Sequence, residues 1–142
     1  MVSGHRHIFP LRIYYADTDF SGVVYHARYL EFLERARTEF LRHFSISHSE
    51  LRESVSGESF AFAVRRMEID FLFPSRIDDL LSIETILSSV RGALLVVEQK
   101  IFLEEVLLVR AKVDIVYINA QGRPRRLPKD WVEKFHFARE GL

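Results

Sequence analysis

The hydrophobic period of the chain changes near its start. "RIYY" (Arg12–Tyr15) reads as the end of a first strand. From Tyr25 to Phe44 the spacing becomes helical: Leu30, Leu33, Phe40, Leu41 and Phe44 fall near an i, i+3, i+7 stripe. The opposite side carries Glu31, Glu34, Arg35, Arg37 and Glu39. Glu31–Arg35 and Arg35–Glu39 sit at i, i+4 and are expected to add about 0.3–0.5 kcal/mol each. No Pro or Gly lies between Val23 and Ser56, so this helix is free to run long. "SISHSELRES" (Ser45–Ser54) predicts a short second helix capped by Ser47 or Ser49.

Beyond Gly57 the pattern is mostly that of strands. "SFAFAVRRMEIDFLF" is long, aromatic and β-branched, and Pro74 ends or bends it. "DLLSIETILSSV" and "ALLVVEQKIFLEE" flank "VRG", a hairpin signal with Gly92 at the turn. In "VLLVRAKVDIVYIN", Val109, Ala111, Val113, Ile115 and Tyr117 share one face, with Arg110, Lys112 and Asp114 on the other. "AQGRPRRLP" is a turn and exit loop, and "KDWVEKFHF" predicts a short terminal helix.

The sum is an α+β domain: one strand, one long helix, then about four long strands in a mostly antiparallel sheet. Such a sheet must have one face covered, and a long helix with one apolar stripe can cover it. The sheet is therefore expected to wrap around the helix, with oligomerisation protecting its edges and second face. Residues 1–142 read as a single domain, with 1–6 and 138–142 expected to be mobile.

Composition removes several function classes. With 142 residues the chain can bury an ordinary core without staples. It has no Cys, which excludes thiol nucleophiles, disulfides and Cys-based zinc sites. Its 20 basic residues balance 20 acidic ones, so the one-signed field of a nucleic-acid binder is missing. No apolar run reaches membrane-spanning length, and "MVSGHRHIFPLR" lacks a signal-peptide core, so a cytoplasmic location is expected. His5 and His7 form H-x-H; a mobile tail is the favoured reading over a metal site, and His43 and His48 read as exposed. No metal and no cofactor is expected.

The chemistry concentrates in "YYADTDFSGVVYHARYLEF" (Tyr14–Phe32), where a strand gives way to a helix. The first N–H groups of a helix lack intrahelical partners and carry partial positive charge. Gly22 lets the backbone turn tightly and lets a ligand approach. The amides of Val24, Tyr25 and His26 are then candidates to polarise an incoming carbonyl, with a carboxylate opposite as base or nucleophile. The residues alone leave a second reading open: Asp17, Thr18, Asp19, Ser21 and Gly22 are also ordinary turn and cap residues.

"YYADTDFSGVVYHARYLEFLERARTEFLR" (Tyr14–Arg42) resembles the signature of the 4-hydroxybenzoyl-CoA thioesterase family of hotdog-fold proteins, and within it the bacterial acyl-CoA thioesterases encoded beside the Tol-Pal genes. The matching elements are Tyr15, Asp17-x-Asp19, Gly22-Val23-Val24-Tyr25-His26, Tyr29-Leu30 and Glu34-Arg35-Ala36-Arg37-Thr38-Glu39. "FAVRRMEIDFLFPSRIDDLLSIET" and "VDIVYINAQGRPRRLP" resemble later strands and the exit loop, so the likeness runs from about residue 9 to 132.

The resemblance implies a hotdog fold and hydrolysis of acyl-CoA thioesters by a homo-oligomer, a dimer at least and a tetramer in relatives. It places the catalytic carboxylate on Asp19 and the polarising amide at His26, with Gly22, Val24 and Tyr25 around the substrate. Asp17 becomes a loop support, and the His26 ring either assists catalysis or is a satisfied helix-start residue. Phe20-Ser21 stands where relatives commonly carry smaller residues. Two alternatives accompany this reading: acyl groups carried on acyl carrier protein, and a non-catalytic scaffold in envelope or phospholipid-synthesis assemblies. "RPRR" (Arg123–Arg126) is either a contact for coenzyme A phosphates or a solvated loop, the solvated loop being favoured.

Overall fold

The computed structural model describes residues 2–3, 6–53 and 57–140. Two short strands, β1 (Val2–Ser3) and β2 (Arg6–Arg12), precede a single 3₁₀ turn at Tyr15–Asp17. The helices α1 (His26–His43) and α2 (His48–Arg52) follow. The strands β3 (Phe60–Phe71), β4 (Leu80–Arg91), β5 (Leu94–Leu103) and β6 (Val106–Asn119) lead to α3 (Lys129–Glu140). The sheet order is β1-β2-β4-β5-β6-β3, and every pairing is antiparallel. β2 and the four long strands therefore carry the fold, and β3 is a free edge among the described residues.

Alternation sets the core. Leu81, Ile83 and Leu87 of β4, Leu95, Val97 and Ile101 of β5, and Val109, Ala111, Val113 and Ile115 of β6 are buried. They meet Phe32, Leu33, Ala36, Phe40 and Leu41 of α1. The terminal helix forms as predicted, and its Phe135 packs edge-on against Phe44 at 5.0 Å. Ser47 caps α2 by accepting from the Glu50 amide at 3.4 Å.

One buried polar residue interrupts the apolar interface. Gln99 of β5 is fully buried. Its amide donates to the helical carbonyl of Leu33 at 3.1 Å and to Thr85 Oγ1 at 3.0 Å, and its oxygen accepts from Arg37 Nη1 at 3.1 Å. Arg37 thus departs from the polar face assigned to it by helical spacing. It is only 8% exposed, because its aliphatic stem can line the core while its head reaches Gln99.

Three other expectations change. The strand reaches only the first residue of "RIYY": pairing stops at Arg12, and Tyr15 enters the 3₁₀ turn. Leu30 of the predicted apolar stripe is 41% exposed. On α1 the ion pairs are Arg28–Glu31 at 2.8 Å and Arg42–Glu39 at 3.1 Å, both i, i+3, rather than the two centred on Arg35.

The second sheet face is charged over β3, β5 and β6. Asp70 faces Arg110 at 2.9 Å, and Glu68 lies opposite Lys112. Opposite charges across strands stabilise such a wet face by tenths of a kcal/mol each, about 0.2–1 kcal/mol. His7 does not lie in a loose tail: it sits in β2, buried, with its ring 6.3 Å from Phe40. His5 and the outermost residues at both ends, on which part of the expectation of mobile termini falls, lie outside the described residues.

Candidate active site

The stretch from Asp17 to His26 folds as a tight loop between the 3₁₀ turn and α1. Thr18 and Val24 form an antiparallel bridge that closes its neck. Within it the Asp19 amide donates to the Val23 carbonyl at 2.9 Å and the Gly22 amide to the Asp19 carbonyl at 3.0 Å. Gly22 has φ +84°, and a Cβ there would meet nothing within 4 Å. The constraint at Gly22 is therefore conformational, and the space above it is open.

The two acids are held differently. Asp17 is buried. Its Oδ2 accepts from the Tyr14 amide at 2.9 Å, and its Oδ1 accepts from Arg28 Nη2 at 2.7 Å and Nε at 3.3 Å. Its carbonyl accepts from the Tyr25 amide at 3.2 Å. Asp17 thereby ties the 3₁₀ turn, the loop neck and the first turn of α1 together. Asp19 sits on the open side. Its Oδ1 accepts from the Ser21 amide at 2.8 Å and from the Ser21 hydroxyl. The Ser21 hydroxyl first, then the Ser21 amide, hold the Asp19 carboxyl below the usual carboxylate range.

The amides at the helix start also separate. The Val24 N–H is taken by the Ser75 carbonyl at 2.9 Å, and the Tyr25 N–H by Asp17. The Gly22 amide closes the loop. These three groups are therefore not donors to a ligand, contrary to the expectation that Val24 and Tyr25 point at an incoming carbonyl. The His26 amide, first in α1, has no partner among the described residues, and Tyr25 supplies no side-chain cap. An 18-residue helix thus begins with an unfilled donor and no acidic residue in its first turn, where partial positive charge collects.

Aromatic side chains surround this donor. The His26 ring lies 4.7 Å from Tyr25 and 5.9 Å, edge-on, from Phe71. Tyr25, Phe71, Leu72 and Phe73 are exposed. Below them, the Tyr29 hydroxyl bonds Ser75 Oγ at 2.7 Å and accepts from the Ser75 amide at 3.1 Å. Since Ser75 also receives the Val24 amide, Tyr29 clamps the β3–β4 crossover to the loop neck. Tyr29 stood in the sequence motif without a role, and sequence reasoning missed Arg28 and Ser75 as parts of the site. Their partners lie 11 or 46 residues away where a bond is made, and no local spacing signals that.

Among the described residues no group of three or more acids and histidines is placed to hold a metal, and no helix is long and apolar enough to cross a membrane. "RPRR" lies far from this loop. Its carbonyl and amide groups bond Tyr117 and Asn119, and the Leu127 amide beside it donates to the Gly92 carbonyl, at the end of the sheet where β4 closes and β3 opens. Val23 instead bridges Arg76, in the crossover between β3 and β4.

A family model of the thioesterase-like superfamily matches residues 14–135. The chain is 45% identical over 128 residues to the acyl-CoA thioester hydrolase YbgC of Escherichia coli O6:H1, covering 89% of this chain and 92% of that protein. It is 41% identical to the acyl-CoA thioesterase YbgC of Haemophilus influenzae, covering 90% and 93%. A crystal structure of a probable thioesterase from Bartonella henselae superposes with a TM-score of 0.84 at 54% identity, covering 87% of this chain and 99% of that one. The antiparallel sheet wrapped on one long helix agrees with the fold of these relatives, and the chain belongs to the thioesterase-like superfamily, a thioester hydrolase with the hotdog fold.

Proposed function

We propose that the chain hydrolyses acyl-coenzyme A to free acid and coenzyme A, with Asp19 as general base or nucleophile and the His26 amide as oxyanion donor. One juxtaposition supports this: a single short loop carries a carboxylate with one unbonded oxygen and ends on the unfilled first amide of a long helix. The thioester carbonyl oxygen takes the His26 N–H. Asp19 then either draws a proton from water as that water adds to the carbonyl carbon, or adds itself to give an anhydride that water opens. In both routes the tetrahedral oxyanion collapses and the thiolate of coenzyme A leaves. The amide donor acts on charge that develops only in the transition state, which is where such donors lower a barrier most.

The aromatic surface at Tyr25 and Phe71 fits the acyl part, once covered. Since β3 is a free edge, a second copy pairing antiparallel along it supplies that cover. Such pairing exchanges ends: Phe60 of one copy comes near Phe71 of the other. Arg91, Arg123, Arg125 and Arg126 then arrive beside the neighbouring copy's helix start. Within one chain, β4 alone separates them from it by about 36 Å, at about 3.3 Å per residue. These four cations are exposed and take no acidic partner among the described residues. In this reading they meet the phosphates of the nucleotide end, in trans.

The test is a panel of acyl-CoA thioesters followed by free-thiol release, with Asp19→Asn as control. Turnover that falls by roughly 100-fold or more in the variant is expected. Activity within a few-fold of the parent would remove Asp19 from the chemistry.

A further inference from the structure

The Asp19 carboxylate is bonded on one side only. Oδ1 takes two donors from one residue, the amide and the hydroxyl of Ser21, while no described residue bonds Oδ2. A carboxylate on an exposed loop otherwise turns about χ2 through a broad, two-fold well and presents either oxygen. Two donors fixed on Oδ1 remove that freedom and leave Oδ2 as the oxygen with both lone pairs available. The amide is present whatever residue stands at 21. The hydroxyl is what serine adds.

We propose that Ser21 is a positioning residue for the hydrolysis: it fixes Asp19 Oδ1 so that Oδ2 alone meets the thioester carbonyl or its water. This rests on the assignment of Asp19 as the acting carboxylate. The second donor also favours the ionised form. Other charges adjoin the loop on each element packed against it. Asp17 lies within the 3₁₀ turn, His26 and Arg28 on α1, and Arg76, Asp78 and Asp79 in the crossover. Asp17 is committed to Arg28 and Tyr14, and Asp79 accepts from the Arg76 amide at 2.8 Å. The Ser21 bonds lead the causes that hold the Asp19 carboxyl low, and none of those causes is a charged neighbour.

The sign follows from the working form. Asp19 acts as carboxylate, so activity is lost as pH falls through its pKa. Removing the hydroxyl bond raises that pKa and moves the acid limb to higher pH. The experiment compares the parent with Ser21→Ala and Ser21→Thr, using pH profiles of kcat and KM and the ¹³C chemical-shift titration of the Asp19 carboxyl. For Ser21→Ala, the titration and acid limb are expected to move up, and kcat at neutral pH to fall by about 3- to 10-fold, the worth of one net hydrogen bond. KM stays within about twofold, and Ser21→Thr restores both kcat and the acid limb. An Asp19 titration unchanged in Ser21→Ala overturns the proposal whatever happens to kcat. An Asp19→Asn protein as active as the parent fails the catalytic assignment itself, a separate outcome.

Discussion

The Arg28 guanidinium reaches back across the loop to Asp17, with Nη2 2.7 Å and Nε 3.3 Å from the same carboxylate oxygen. Both nitrogens of one guanidinium edge converge on an acid that also receives the Tyr14 amide. Asp17 is therefore a junction, and Arg28 is one of its arms. Asp17→Ala strands the Tyr14 amide as well as Arg28, whereas Arg28→Ala leaves Asp17 one donor. Thermal unfolding is expected to show Asp17→Ala as the costlier change, by about 2–3 kcal/mol, with a smaller loss for Arg28→Ala, whose side chain is partly exposed and screened. Equal costs would mean that the Tyr14 bond carries no weight.

The roles of ring and amide at His26 separate by substitution. His26→Ala removes the imidazole and keeps the N–H. His26→Pro removes the N–H at the one helical position where proline is well tolerated. Tyr25, at φ −64° and ψ 130°, already has the extended conformation that a following proline requires. Turnover is expected to drop by roughly 100-fold or more in His26→Pro, the usual cost of an oxyanion donor, with a melting temperature close to that of the parent. His26→Ala is expected to stay within about tenfold, since a ring that only assists contributes less than the donor itself. The reverse order would assign the chemistry to the ring.

The proposed sharing of a site between two copies makes a complementation prediction. One variant carries Asp19→Asn. The other carries Arg123→Glu, Arg125→Glu and Arg126→Glu. Each homodimer is expected to be weak on acyl-CoA. Co-expressed and purified through two different tags, the heterodimer contains one site with both an intact Asp19 and an intact exit loop, and is expected to recover about half of the parental activity per dimer. If the cations serve their own chain, neither heterodimer site is whole and activity stays at the level of the two variant homodimers. Acyl-pantetheine, which lacks the nucleotide phosphates, should be hydrolysed equally by the exit-loop variant and the parent protein.

The sequence pattern carried the architecture because it is written in local periods. Leu33, Phe40 and Leu41 of α1 and Val109 to Tyr117 of β6 lie on the buried faces their spacing implied. Arg37 broke the pattern because burial of a charged residue depends on a partner 62 residues away in β5, which no helical wheel contains. Arg35 failed to pair for a related reason: Arg28 and Arg42 compete for Glu31 and Glu39 through i, i+3 spacing. At the site, the motif pointed to the Asp17–His26 loop and to different expected roles for its two acids. It left open which amides remain free, because Ser75 and Asp17 claim those of Val24 and Tyr25 through the tertiary fold.

The buried amide of Gln99 has one more consequence. An apolar stripe lying on an apolar sheet resists separation but offers little against sliding or turning, since one leucine contact resembles the next. Gln99 grips a backbone carbonyl of α1, at Leu33, and a side chain of the same helix, at Arg37, while Thr85 braces it from β4. That grip acts as an index mark two turns downstream of where the helix begins. It sets the phase of α1 against the sheet, and with it the spot at which the His26 amide emerges beside Phe71. The placement of the proposed carbonyl-polarising donor at one end of this molecule is thus settled by a polar side chain in its dry interior.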